Sequence, residues 1–127
     1  MRGITLSLLE LSTQLLKECD DCIIRFESYR EEDKDPDFFR DVKPHAYKVD
    51  ALLLKWEELV RVWIQVKRPK YVHPSQVDSL LESMEQFLVQ SYYKGTSKKR
   101  FLKSVHSTKY TFETIIHAIK EVGDEHA

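Results

Sequence analysis

The chain has 127 residues and a formal net charge of −1, with 32% of its residues charged and 42% hydrophobic. That length predicts one domain over residues 1–127, large enough to build a core without metal or disulfide staples. The composition excludes a disordered chain, and the near-zero charge excludes a global field that would recruit nucleic acid or an anionic membrane.

Three isolated glycines (Gly3, Gly95, Gly123) and four prolines leave room for long helices, and four stretches repeat apolar residues three and four apart. The first carries Leu8, Leu15, Cys19, Cys22, Phe26 and Tyr29, with Ser7 and Glu10 expected as a capping box. The second carries His45, Val49, Leu52, Trp56, Leu59, Trp63 and Val66, opened by Pro44. The third, opened by Pro74, carries Val77, Leu81, Met84 and Leu88. The fourth carries Phe101, Val105, Thr108, Phe112, Ile115, Ile119 and Val122, with Thr96 or Ser97 as N-cap and Gly123 as the stop.

Flanking apolar residues such as Leu53, Val60, Leu80 and Phe87 widen each seam to the stripe a bundle core needs. Nothing alternates with period two, so no strand is expected. The predicted connections are Arg30 to Asp37, Arg68 to His73 and Lys94 to Ser97, with a short helical turn at Phe38 to Val42. Connections this short predict an all-α, antiparallel up-and-down four-helix bundle with left-handed seam packing. Trp56, Trp63, Phe112 and Ile115 are expected together at its centre.

No apolar run is long enough to span a bilayer, and polar residues interrupt the N-terminal stretch that a signal peptide would need. A cytoplasmic protein with reduced cysteines is therefore expected. Up-and-down topology also brings the first and third connections to one end. The first is acidic, with Glu31, Glu32, Asp33, Asp35 and Asp37. The third runs into Lys94, Lys98, Lys99, Arg100 and Lys103, so opposite charges should meet and neutralise much of that cluster.

Few residues suggest chemistry. Cys19-Asp20-Asp21-Cys22 is a CxxC pair, but both thiols fall mid-helix on the buried seam, where burial and two aspartates disfavour thiolate. They read as core residues. No Glu-x-x-His motif of a bundle di-metal centre occurs. The nearest approach is a stripe of His106, Tyr110, Glu113 and His117 on the fourth helix, which lacks a partner pair on a neighbouring helix. No metal, cofactor or catalytic residue is assigned. Neither His45 nor His73 has a nearby serine or cysteine with a third orienting residue, so no nucleophilic triad is readable.

Two basic tracts remain. Lys94 to Lys109 carries six positive charges and no acid, and Lys98, Lys99, Arg100 and Lys103 would be its contacts with nucleic acid. The connector Lys67 to Pro74 lies at the opposite end, stiffened by Pro69 and Pro74. Arg68, Lys70, Tyr71 and His73 on it form a candidate preordered partner surface.

Asp37-Phe38-Phe39-Arg40-Asp41-Val42-Lys43-Pro44, Arg68-Pro69-Lys70-Tyr71-Val72-His73, Gln90-Ser91-Tyr92 and Lys98-Lys99-Arg100-Phe101 follow in an order and spacing that resembles the YppE-like family of small bacterial proteins. The resemblance spans nearly the whole chain. It implies a four-helix up-and-down bundle in a Gram-positive cytoplasm and carries no activity, cofactor or catalytic residue. The leading expectation is a non-enzymatic interaction or regulatory module with a protein partner. The alternatives are a metal-binding protein or enzyme using His106, Glu113 and His117, and a nucleic-acid binder using the basic cluster.

Overall fold

A computed structural model describes residues 4–122, with side chains from Leu8 onward. Among these residues there are four α-helices and no strand: α1 (Ile4–Glu31), α2 (Lys43–Lys67), α3 (Pro74–Gln90) and α4 (Lys98–Val122). A five-residue π-helical turn, Phe38–Val42, leads directly into α2. Helix α1 already includes Ser7 in its backbone, so Ser7 does not mark the helix start. The expected capping box lies outside the described side chains, and the expected stop at Gly123 lies outside the described residues.

Contacts between neighbours run in opposite directions, which fixes the up-and-down topology. Between α1 and α2, Ser12 meets Trp56 while Glu18 meets His45. Between α1 and α4, Glu27 meets Lys98 while Asp20 meets Lys109. Helix α1 packs on α2 and α4, and α3 packs on the same two, so the helices occupy the corners of a square.

One core takes residues from all four helices. Trp56, Trp63, Phe112 and Ile115 are fully buried in it, as expected, and the rings of Trp56 and Phe112 meet edge to face at 5.3 Å. Helix α2 nevertheless turns a different face inward from the one its heptad reading implies. Val49, Leu53, Trp56, Val60 and Trp63 are buried, whereas Leu52 and Leu59 are only partly so and Val66 is 52% exposed. Both readings share positions 49, 56 and 63. The choice between Leu52 and Leu53 depends on how α2 is rotated against two neighbours at once, which spacing alone leaves open.

The core end that Val66 vacates is closed by Val72 of the connector, which is buried along with Pro69. The chain reaches that position because Arg68 ends α2 in a left-handed conformation (φ 46°), its N–H bonded to the Ile64 carbonyl at 2.9 Å. Pro74 then opens α3, and the His73 backbone N–H donates to Gln76 Oε1 at 2.6 Å. The third connection begins at Ser91, earlier than the expected Lys94, and Ser97 caps α4 by accepting the Arg100 N–H at 3.4 Å.

Candidate functional site

The connector candidates Arg68, Lys70 and Tyr71 do come together. With Pro69 they form one wall of a cleft of about 270 Å³ whose other wall is the C-terminal half of α4: Thr114, His117, Ala118, Glu121 and Val122. Tyr71 is 73% exposed and Val122 is also exposed, so an aromatic ring and an aliphatic side chain stand open to solvent beside two cations. His73 does not line this cleft. Its backbone is committed to the start of α3, and its side chain points to solvent.

The helix-four stripe divides. His106, Tyr110, Glu113 and His117 are all exposed, and His117 Nε2 lies 3.1 Å from Glu121 within its own helix. Among the described residues, no three His, Cys, Asp or Glu side chains gather closely enough to hold a metal ion. His117 instead belongs to the connector cleft.

Both cysteines are free and fully buried. Burial pushes the Cys22 thiol up to about 12, against a smaller opposing effect of Arg25, and pushes Cys19 higher still, with Cys22 and Asp20 adding to the effect. Neither is a nucleophile at neutral pH.

The basic cluster is neutralised less than its position suggests. The first and third connections do meet: Lys94 Nζ lies 2.6 Å from Asp33 and 3.4 Å from Asp35, and Arg30 donates to the carbonyls of Lys94 and Thr96. Lys98 pairs with Glu27, a residue of α1 rather than of the acidic connection. Glu32 is turned to Lys34, and Asp37 caps the π-helical turn by accepting the Arg40 N–H. The expectation that the acidic connection neutralises much of the cluster therefore holds for Lys94 alone. Among the described residues, Lys99, Arg100 and Lys103 have no carboxylate within 4.0 Å.

A fourth constellation escaped the sequence reading. His45 Nε2 lies 2.6 Å from Glu18 Oε1, and His45 Nδ1 lies 2.8 Å from the Tyr92 hydroxyl. With the proton on Nε2, His45 accepts the Tyr92 hydroxyl at Nδ1, whereas the close approach of Nε2 to Glu18 lies outside hydrogen-bond geometry and leaves the buried Glu18 Oε1 without a hydrogen-bond partner among the described residues. The Arg25 guanidinium stacks over the Tyr92 ring at 4.6 Å and approaches Glu18 at 3.6 Å. The His45 imidazole against it holds the Glu18 carboxyl below its ordinary value despite burial, and burial raises the Tyr92 phenol. Tyr92 is only 8% exposed. The group is thus a polar staple joining α1, α2 and the third connection, with His45 and Glu18 partly exposed. Glu18 and Arg25 lie one heptad apart on α1, the one signal that could have paired them.

No helix among the described residues is long and apolar enough to cross a membrane. The family model of a bacterial domain of unknown function, DUF1798, matches residues 12–119. The uncharacterised protein YppE of Bacillus subtilis is 31% identical over 115 residues, covering 91% of this chain and 90% of the relative. Its crystal structure superimposes with a TM-score of 0.89 at 29% identity, over 95% of this chain and 97% of that one. A protein of unknown function from Listeria innocua gives 0.88 at 27% identity, over 93% and 94% of the two chains. A DUF1798 domain from Staphylococcus aureus, 22% identical over 94% and 99%, shares the fold with a TM-score of 0.81. Relatives described only as uncharacterised bring no chemistry to these residues, but they agree in fold and in sequence along almost the entire chain, which belongs to the DUF1798 family of bacterial domains of unknown function.

Proposed function

We propose that this chain is a non-enzymatic cytoplasmic interaction module and that it docks a protein partner in the cleft between residues 68–71 and the end of α4. The observation that carries this reading is the state of Tyr71. It is a large aromatic held out in solvent on a segment with little freedom, between Pro69 and Val72, which are both buried. Preordering of this kind lowers the entropy lost on binding, and exposed aromatics flanked by arginine are typical anchors of protein interfaces. The partner segment that fits carries an apolar side chain for the space lined by Ala118 and Val122, next to a carboxylate for Arg68 and Lys70. The free, buried cysteines suit a reducing compartment.

Site-specific photocrosslinking tests the reading. A photoreactive phenylalanine analogue at position 71 should capture one protein in the native cell. The same probe at Tyr47, an exposed aromatic outside the cleft, should not. The purified partner should then lose affinity for the Tyr71→Ala and Arg68→Gln variants while binding Tyr47→Ala normally. Equal capture from both positions, or unaltered affinity of the Tyr71→Ala variant, would refute the docking site.

A further inference from the structure

Three cations along the helix interfaces are met by a carboxylate on a neighbouring helix. Arg61 of α2 reaches Asp78 of α3 at 2.6 Å, Lys109 of α4 reaches Asp20 of α1 at 2.6 Å, and Lys98 reaches Glu27. At the junction of α3 and α4 this pattern breaks. Arg100 and Lys103 stand across from Gln86 and Gln90, which are neutral amides, and the two cations line a groove of about 540 Å³. Ser97 and Ser104 add hydroxyls to it, and no carboxylate lines it. The volume falls in the range of small-molecule sites, about 300–1,000 Å³.

A concave site with two unanswered cations, two amides and several hydroxyls has the chemistry of an anion receptor. Arginine matches a phosphoryl group with a planar fork of donors, and lysine supplies a mobile point charge beside it. The hydroxyls and amides suit the sugar or polyol that a phosphate ester carries. No aromatic side chain lines the groove, so there is no platform on which a nucleobase would stack. We infer that the groove between the end of α3 and the start of α4 binds a small phosphorylated polyol or a diphosphate, held by Arg100 and Lys103.

This site is separate from the connector cleft, and neither proposal depends on the other. Calorimetric titration at constant ionic strength with ribose 5-phosphate and with inorganic pyrophosphate tests it, with sulfate and a single-stranded oligonucleotide as comparisons. Saturable one-to-one binding of either phosphate compound is expected, tighter than that of sulfate. Arg100→Gln and Lys103→Gln should each weaken it by about tenfold, since each removes a charge-assisted contact. Lys99→Gln, which removes an equal charge outside the groove, should leave affinity within about twofold. Ser104→Phe keeps both cations but fills the groove and should abolish binding, with circular dichroism verifying the fold of every variant.

Absence of saturation at about 10 mM of either phosphate compound, a concentration at which even a weak millimolar complex saturates, would overturn the proposal. So would equal losses in the Lys99 and Arg100 variants, or unchanged binding by Ser104→Phe. Preferential binding of the oligonucleotide would replace it with the nucleic-acid reading of the basic cluster.

Discussion

Trp56 and Trp63 lie one heptad apart on the same buried face of α2, yet only Trp56 has a partner for its indole N–H. It donates to the Ser12 hydroxyl at 2.9 Å, across 44 residues of sequence, whereas Trp63 Nε1 is buried without an acceptor among the described residues. A buried polar group left unpaired costs about 1–3 kcal/mol, so two similar side chains should respond differently to the same change.

Replacing either tryptophan by alanine should cost about 3–5 kcal/mol, the usual range for a large buried aromatic. The phenylalanine variants should separate them. Trp56→Phe strands the Ser12 hydroxyl in the core, while Trp63→Phe removes an unsatisfied donor at the cost of some volume. Urea melts should show Trp56→Phe to be the more destabilised, by at least about 1 kcal/mol. The opposite ranking would mean that Trp63 has an acceptor.

The staple around His45 predicts a dependence on pH. Glu18 titrates below its ordinary value of 4.5 because the His45 imidazole lies against the carboxylate, with Arg25 adding to the effect. A carboxyl whose folded pKa is depressed contributes stability that is fully present above the unfolded value and is lost as pH falls through the folded one. Glu18→Gln should therefore destabilise the protein at pH 7, with the difference from wild type shrinking progressively below about pH 4.5. Tyr92→Phe removes only the neutral hydrogen bond to Nδ1 and should cost about 1 kcal/mol at neutral pH. A penalty for Glu18→Gln that stays constant down to pH 3 would show that the charge plays no part.

For Cys19 and Cys22, burial keeps both thiols protonated at neutral and mildly alkaline pH, since even the lower of the two is pushed up to about 12. Labelling with a thiol reagent at pH 8 should be slow in the native state, immediate in denaturant, and governed by the opening of the bundle. Destabilising core variants such as Trp63→Ala should accelerate it. Fast labelling of the intact wild type would mean that α1 opens locally.

Arg68 allows stability and recognition to be separated. It holds a left-handed conformation that ordinarily favours glycine. Arg68→Gly should leave the thermal midpoint unchanged or raised, because it relieves a backbone strain of about 1 kcal/mol. Partner binding at the connector cleft should weaken in the same variant. Clear destabilisation would instead make Arg68 a structural residue rather than an anchor.

Much of this molecule is determined locally and can be read along the chain. Apolar residues three and four apart set four helices, prolines and short polar connections set their ends, and short connections force neighbours to run antiparallel. Those facts suffice for the bundle, for the two tryptophans at its centre, and for the meeting of Lys94 with Asp33. Tertiary structure alone decided the rotation of α2, because Leu52 and Leu53 satisfy the same spacing and only simultaneous packing on α1 and α3 selects between them. It also decided the pairing of Glu18, His45 and Tyr92, which come from three separate segments and carry no shared motif. The open groove beside Arg100 has the same origin: a cation is free or neutralised according to which side chain stands across from it, and at Gln86 and Gln90 the fold supplies no charge.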